Sequence, residues 1–131
     1  MTRNPVQVAA GIIRREDSQG ERFFITRRHA KQHQGNKWEF PGGKVEQGET
    51  PEESLSRELF EEIGIKVISS TLLTRIEHDY GDKVVHLMFY IVDVFEGQPT
   101  GLEGQEAAWV TREELLRLKF PEANRPILSL L

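Results

Sequence analysis

The stretch GKVEQGETPEESLSRELFEEIGI, Gly43–Ile65, runs from a glycine-bearing loop into a helix, and both halves can be read locally. Thr50 stands at the N-cap, Pro51 at the first helical position, and Glu53 completes a capping box. Leu55, Leu59 and Ile63 recur every four residues and form the apolar stripe. Gly64 is a natural C-terminal stop. The same helix crowds Glu58, Glu61 and Glu62 into five residues. At about 100° per residue they fall within roughly 100° of one another. Like charges so placed repel by about a few tenths of a kcal/mol per pair. One reading is a solvated acidic face, with Arg57 relieving Glu61 at i,i+4. The other is a hard-cation site, since Mg²⁺ takes oxygen ligands and bridges carboxylates to phosphates.

On the N-terminal side, VQVAAGII (Val6–Ile13) is nearly continuous in apolar residues, as for a strand buried on both faces. Turn chemistry follows at Asp17–Gly20, and RFFITRR (Arg22–Arg28) predicts a hairpin partner. Trp38–Thr50 is expected to be a loop whose glycines serve φ > 0 or close ligand approach. On the C-terminal side, Val67–Tyr80 and Lys83–Glu96 predict two strands joined at Gly81-Asp82, the second central in the sheet. A loop over Gly97–Glu106 carries Glu103 between glycines. AAWV predicts a short strand, Thr111 and Glu114 a second capping box, and the segment after Asn124 a short helix. Strands, one long helix, more strands and short helices indicate an α+β domain: a mixed β-sheet sandwiched between helices, spanning 1–131.

Composition narrows the function. The chain has 131 residues, 37% hydrophobic and 29% charged, which suits one globular domain. A net charge of -4 argues against a broad nucleic-acid-binding face. With no cysteine, disulfides, thiolate metal sites and cysteine nucleophiles are excluded, and a reducing cytoplasm is the expected location. The N-terminus shows no long apolar segment of a secretory signal, and no apolar run is long enough for a membrane. A monomer is the default.

From Gly43 the spacing is glycine, five residues, Glu49, seven residues, Arg57-Glu58-Leu59, one residue, Glu61-Glu62, one residue, Gly64-Ile65. At every fixed position this resembles the signature of the Nudix hydrolases. Average residue usage makes a chance match less than roughly one in a million. GIIRRE, FITRR, NKWEFPGGK, GLEGQ and FPEANRPI resemble, in the same order, the branch of that family that hydrolyses 8-oxo-dGTP to 8-oxo-dGMP and pyrophosphate.

The resemblance implies a Nudix fold of α/β/α layers and a Mg²⁺ cofactor, with Mn²⁺ as an alternative. It implies a small-molecule nucleotide substrate, with no nucleic-acid polymer and no membrane as partner. By position, Glu61, Glu62 and the carbonyl of Gly42 resemble metal ligands, and Glu58 a general base or further ligand. Arg57 would orient a carboxylate, and Glu49 would support the loop and helix. Glu103 resembles an acid that adds a ligand or acts as a base from a mobile loop; an ordinary exposed acid is the alternative. Arg28 and His33 match positions that contact phosphates and sugar. Asn124 matches an asparagine that recognises the oxidised purine, and could equally be an N-cap. Glu39, Phe40, Pro41 and Gly42 would line the pocket, with Phe40 near the base or simply in the core. Other activities compatible with the box are hydrolysis of a dinucleoside polyphosphate or nucleotide sugar, or nucleotide binding without catalysis.

Overall fold

The apolar run from Val6 continues as strand β1 (Val6–Asp17), and a turn at Asp17–Gly20 returns the chain as β2 (Gly20–Arg27). The computed structural model describes residues 5–31, 35–120 and 124–131. The elements that follow are β3 (Trp38–Glu39), β4 (Gly42–Lys44), α1 (Pro51–Ile63), β5 (Lys66–Asp79), β6 (Val84–Glu96), β7 (Ala107–Val110), α2 (Arg112–Arg117) and α3 (Arg125–Leu128).

The strands form one mixed sheet of order β3-β2-β1-β6-β5, with β4 paired to β1 and β7 to β2. β1 and β6 run parallel, from Val6 opposite Val85 to Ile13 opposite Val92. The other pairings are antiparallel. β6 is flanked on both edges, although the middle of the order belongs to β1. β4 pairs with Val8–Ala10 and β2 with Ile13–Asp17, so β1 takes two partners in succession. The chain crosses between them at Pro41, whose carbonyl accepts a hydrogen bond from Gly11 N at 2.8 Å.

Alternation along β1 divides the core into two layers, because successive side chains point to opposite faces. Ala9 and Ile13 join Leu55, Leu59 and Ile63 of α1 on one face, together with Phe24, Met88 and Val92. Ala10 and Ile12 join Phe23, Ile25, Phe40, Phe89, Leu115, Phe120 and Ile127 on the other. The α/β/α sandwich is therefore present as expected. Gly11 has a packing reason: a Cβ there would lie 2.9 Å from Leu59 Cδ1, so its absence brings α1 down onto the sheet.

Two expectations change. Trp38–Thr50 is not wholly loop, since it contains β3 and β4. Its central glycines serve another purpose as well: Gly42 and Gly43 are not among the residues with positive φ, whereas Gly48 is, at 86°. A Cβ on Gly42 would lie 2.1 Å from the Ala9 carbonyl oxygen, and one on Gly43 would lie 2.4 Å from the Glu58 carboxyl carbon. They are small because β1 and the glutamate helix approach so closely.

Candidate active site

Helix α1 is set by its ends. Thr50 accepts from Glu53 N at 3.1 Å while Glu53 accepts from Thr50 N at 2.9 Å. Gly64 closes the helix in the left-handed region at φ 74°. Two side-chain bonds then fix where the helix sits. Ser54 Oγ, fully buried, donates to the Lys44 carbonyl at 3.0 Å, and Tyr90 Oη donates to Glu52 at 3.0 Å. The first ties α1 to the strand carrying Gly42 and Gly43, and the second ties its first turn to β6.

Arg57 organises the acids. Its Nε and Nη2 grip both oxygens of Glu49 at 2.7 and 3.0 Å, and its Nη1 reaches Glu58 at 3.0 Å and Glu61 at 3.4 Å. The bidentate pair holds the Glu49 carboxyl down to about 2 and pushes the guanidinium up. Glu49 also accepts from Glu46 N at 2.9 Å, which braces the loop before the helix. Glu62 takes a different partner, accepting from Gly42 N at 3.0 Å.

The electrostatics mark Glu62 as the most strained carboxylate. Burial, then the charges of Glu58, Glu39 and Glu103, push it up to about 8 against the Gly42 hydrogen bond. Glu58 is raised by burial, with Glu61 and Glu103 adding to the shift and Arg57 opposing it. Glu39 is raised by burial despite Arg28, whose Nη1 lies 2.8 Å from it. Glu61 is the exposed member of the set. Among the described residues, no three acids or imidazoles already stand close enough together to hold a metal ion. Arg57 pairs with Glu58 and Glu61, while Gly42 N donates to Glu62. The donor set nevertheless fits a hard divalent cation. It is all oxygen, and the carboxyls of Glu58 and Glu62 are raised first by burial and then by neighbouring acids, a cost that a bound positive charge offsets.

Beside this helix lies a cavity of about 340 Å³, within the usual range for a small-molecule site. Gly42 and Gly43 form its wall toward the glutamates, and Arg28, Glu39, Phe40 and Asn124 also line it. Asn124 holds the N-cap position of α3, as one of its two readings expected, but its side chain makes no cap bond there. Phe40 lines the cavity and is buried in the core against Phe89 and Phe120. Pro41 contributes its carbonyl to Gly11. Arg27 leaves the cavity, lying over Trp38 at 5.9 Å and 3.6 Å from Glu106. His33 lies outside the described residues. Sequence reasoning missed much of the cavity wall, including Tyr80, Lys83, Val85 and Leu87. Val85 and Leu87 belong to the strand expected to be central in the sheet, but nothing local placed them in one wall with Asn124.

A sheet between helices, with a glutamate-bearing helix braced against a glycine strand, defines a NUDIX domain. The family model of that description matches residues 5–131, and the chain belongs to the Nudix family of hydrolases, which generally need a divalent metal. Among its relatives, the 8-oxo-dGTP diphosphatase of Escherichia coli (strain K12) is 44% identical over 124 residues, 95% of this chain and 94% of the relative. The enzyme of the same name from Haemophilus influenzae is 44% identical over 128 residues, 98% and 92%. A solved structure from work on MutT of Aliivibrio salmonicida and Vibrio cholerae superposes with a TM-score of 0.85 at 40% identity, covering 96% of this chain and 95% of that one.

Proposed function

We propose that this chain, as one catalytic domain, hydrolyses 8-oxo-dGTP to 8-oxo-dGMP and pyrophosphate. The carrying observation is that the cavity containing Asn124 and Phe40 shares its Gly42-Gly43 wall with the glutamate helix. A base held by the first would put its phosphates beside the second. The near-full-length likeness to enzymes of that name supports the choice of base.

Glu61, Glu62 and the Gly42 carbonyl would hold Mg²⁺, or Mn²⁺ in its place, with Glu103 adding a ligand from its loop. The cation would neutralise phosphate charge and make a bound water more acidic. Glu58, raised by burial, takes a proton from the water that attacks the β-phosphorus. The new bond joins that oxygen to phosphorus, and the bridging oxygen leaves with the nucleoside monophosphate. Arg57, braced by Glu49, keeps the Glu58 carboxylate aimed. Arg28 and His33 bind phosphate and sugar, and Arg28 must share its guanidinium between Glu39 and the ligand. Asn124 offers a donor and an acceptor to the purine edge while Phe40 packs beside it. The result in a cell would be removal of a mutagenic precursor from the nucleotide pool, in the cytoplasm and by a monomer.

The test is product analysis with 8-oxo-dGTP, dGTP and CTP, with and without Mg²⁺. The expected products are 8-oxo-dGMP and pyrophosphate, formed only with the cation. Release of inorganic phosphate from 8-oxo-dGTP, or metal-independent turnover, would overturn the reading. Glu61→Gln and Glu62→Gln should each abolish metal-dependent turnover.

A further inference from the structure

The turn that carries Glu103 is built onto the glutamate helix. The last carbonyls of a helix have no partner within it. Here the loop supplies them: Thr100 N donates to the Ile63 carbonyl at 3.0 Å and Leu102 N to the Glu62 carbonyl at 2.9 Å. Glu103 is therefore one residue from a backbone bond to Glu62 itself. Beyond that anchor the chain reverses tightly. Gly104 N donates to the Gly101 carbonyl at 3.3 Å, and Gly104 takes φ 80°. Gln105 then turns back, its Oε1 accepting from Glu103 N at 2.9 Å. Because that partner is a donor, the amide oxygen is the atom facing it. Gly101 leaves room for this return, since a Cβ there would lie 2.3 Å from the Gln105 carbonyl oxygen and 3.3 Å from its Oε1. Gln105 is half-buried, whereas Glu103 is exposed.

We infer that Gln105 is a positioning residue for catalysis: its side-chain carbonyl fixes the backbone at Glu103 and so aims that carboxylate at Glu58 and Glu62. The inference rests on the catalytic reading of Glu103 given above. Glu103 is close enough for its charge to act on both acids. Its place is set by two linkages, the α1 carbonyls at one side and Gln105 at the other. A glutamate free in a mobile loop would need neither.

The experiment is a double-mutant cycle on Gln105→Met and Glu103→Gln. Methionine keeps the length and bulk of glutamine and removes the accepting oxygen. The cycle uses whichever nucleoside triphosphate the unmodified protein hydrolyses fastest, so failure of the 8-oxoguanine reading leaves the cycle intact. Gln105→Met alone should lower kcat by about tenfold, the size expected for one lost hydrogen bond that aims a catalytic group, with KM unchanged within about twofold. In the Glu103→Gln background it should add less than about a twofold further loss, since groups acting through one another are not additive. Gln105→Glu, which keeps an accepting oxygen, should recover most of the rate. Equal losses in both backgrounds, or equal losses for the methionine and glutamate variants, would overturn the inference and leave Gln105 as ordinary loop packing. An active protein in which Glu103→Gln has no effect would overturn both this inference and the role of Glu103.

Discussion

Gly42 and Gly43 are adjacent, yet the two should fail differently when given a methyl group. At Gly42 the new Cβ meets the backbone of Ala9 and Ala10, which cannot move without unpairing β4 from β1. Gly42→Ala should yield little folded protein. At Gly43 the three nearest atoms all belong to the end of the Glu58 side chain. Gly43→Ala should fold with a melting temperature within a few degrees of the parent, while kcat falls by at least about 100-fold, the cost of a misplaced catalytic group. Thermal melts and turnover on the same samples check both. Glu62 carries the pH prediction. Its carboxyl lies at about 8 rather than the ordinary 4.5, so between those values the folded chain holds a proton that the unfolded chain has released. Without metal, this group therefore makes the fold less stable as pH rises from 4.5 to about 8. A divalent cation needs the ionised form, so its affinity should tighten by up to about tenfold per pH unit below the titration and level off above it. Calorimetric titration of Mg²⁺ at pH 6 and pH 8 measures this; equal affinities would contradict it. Contacts at this scale were legible where the residues lie close in sequence, as in the pairing of Arg57 with Glu61 at i,i+4. Partners such as Tyr90 for Glu52 were not, because 38 residues separate them.

Helix α1 is the element whose structure was most fully written in the chain. Both of its ends are local devices, the Thr50–Glu53 box and the left-handed Gly64, and both form as the sequence indicated. Thr50→Ala should cost about 1 kcal/mol and lower the melting temperature by about 4 °C, with kcat nearly unchanged. Loss of activity without loss of stability would mean that the cap also sets the catalytic register. β3 and β4 show the opposite case. They have two and three residues, β4 consists of two glycines and a lysine, and each is a strand only because a partner strand is beside it. No window of that length carries a period. The parallel pairing of β1 with β6 was likewise beyond local reading, since more than seventy residues lie between the partners.

At the level of the whole molecule, the nearly continuous apolar run of β1, the apolar stripe of α1 and the order of strands and helices made the layered architecture readable before any pairing was known. The cavity was not readable, since its walls come from five separated parts of the chain: Val6–Ala10, Arg28, Glu39–Lys44, Tyr80–Phe89 and Asn124. In the proposed function it is the feature on which base choice depends. The carboxylates explain hydrolysis of a polyphosphate, and they do so for any base. On the proposed reading, discrimination comes from Asn124 and Phe40, which line the cavity. Asn124→Ala should therefore erase most preference for the oxidised purine while metal-dependent hydrolysis persists, a split read by comparing both substrates in the variant. A hydrogen-bonding site that loses its partner typically discriminates by several kcal/mol less. The most direct measurement is kcat/KM of the unmodified protein for 8-oxo-dGTP and for dGTP, in the presence of Mg²⁺. A ratio of at least about 100 in favour of 8-oxo-dGTP is expected, equivalent to nearly 3 kcal/mol of differential transition-state binding; equal values for the two nucleotides would contradict the account.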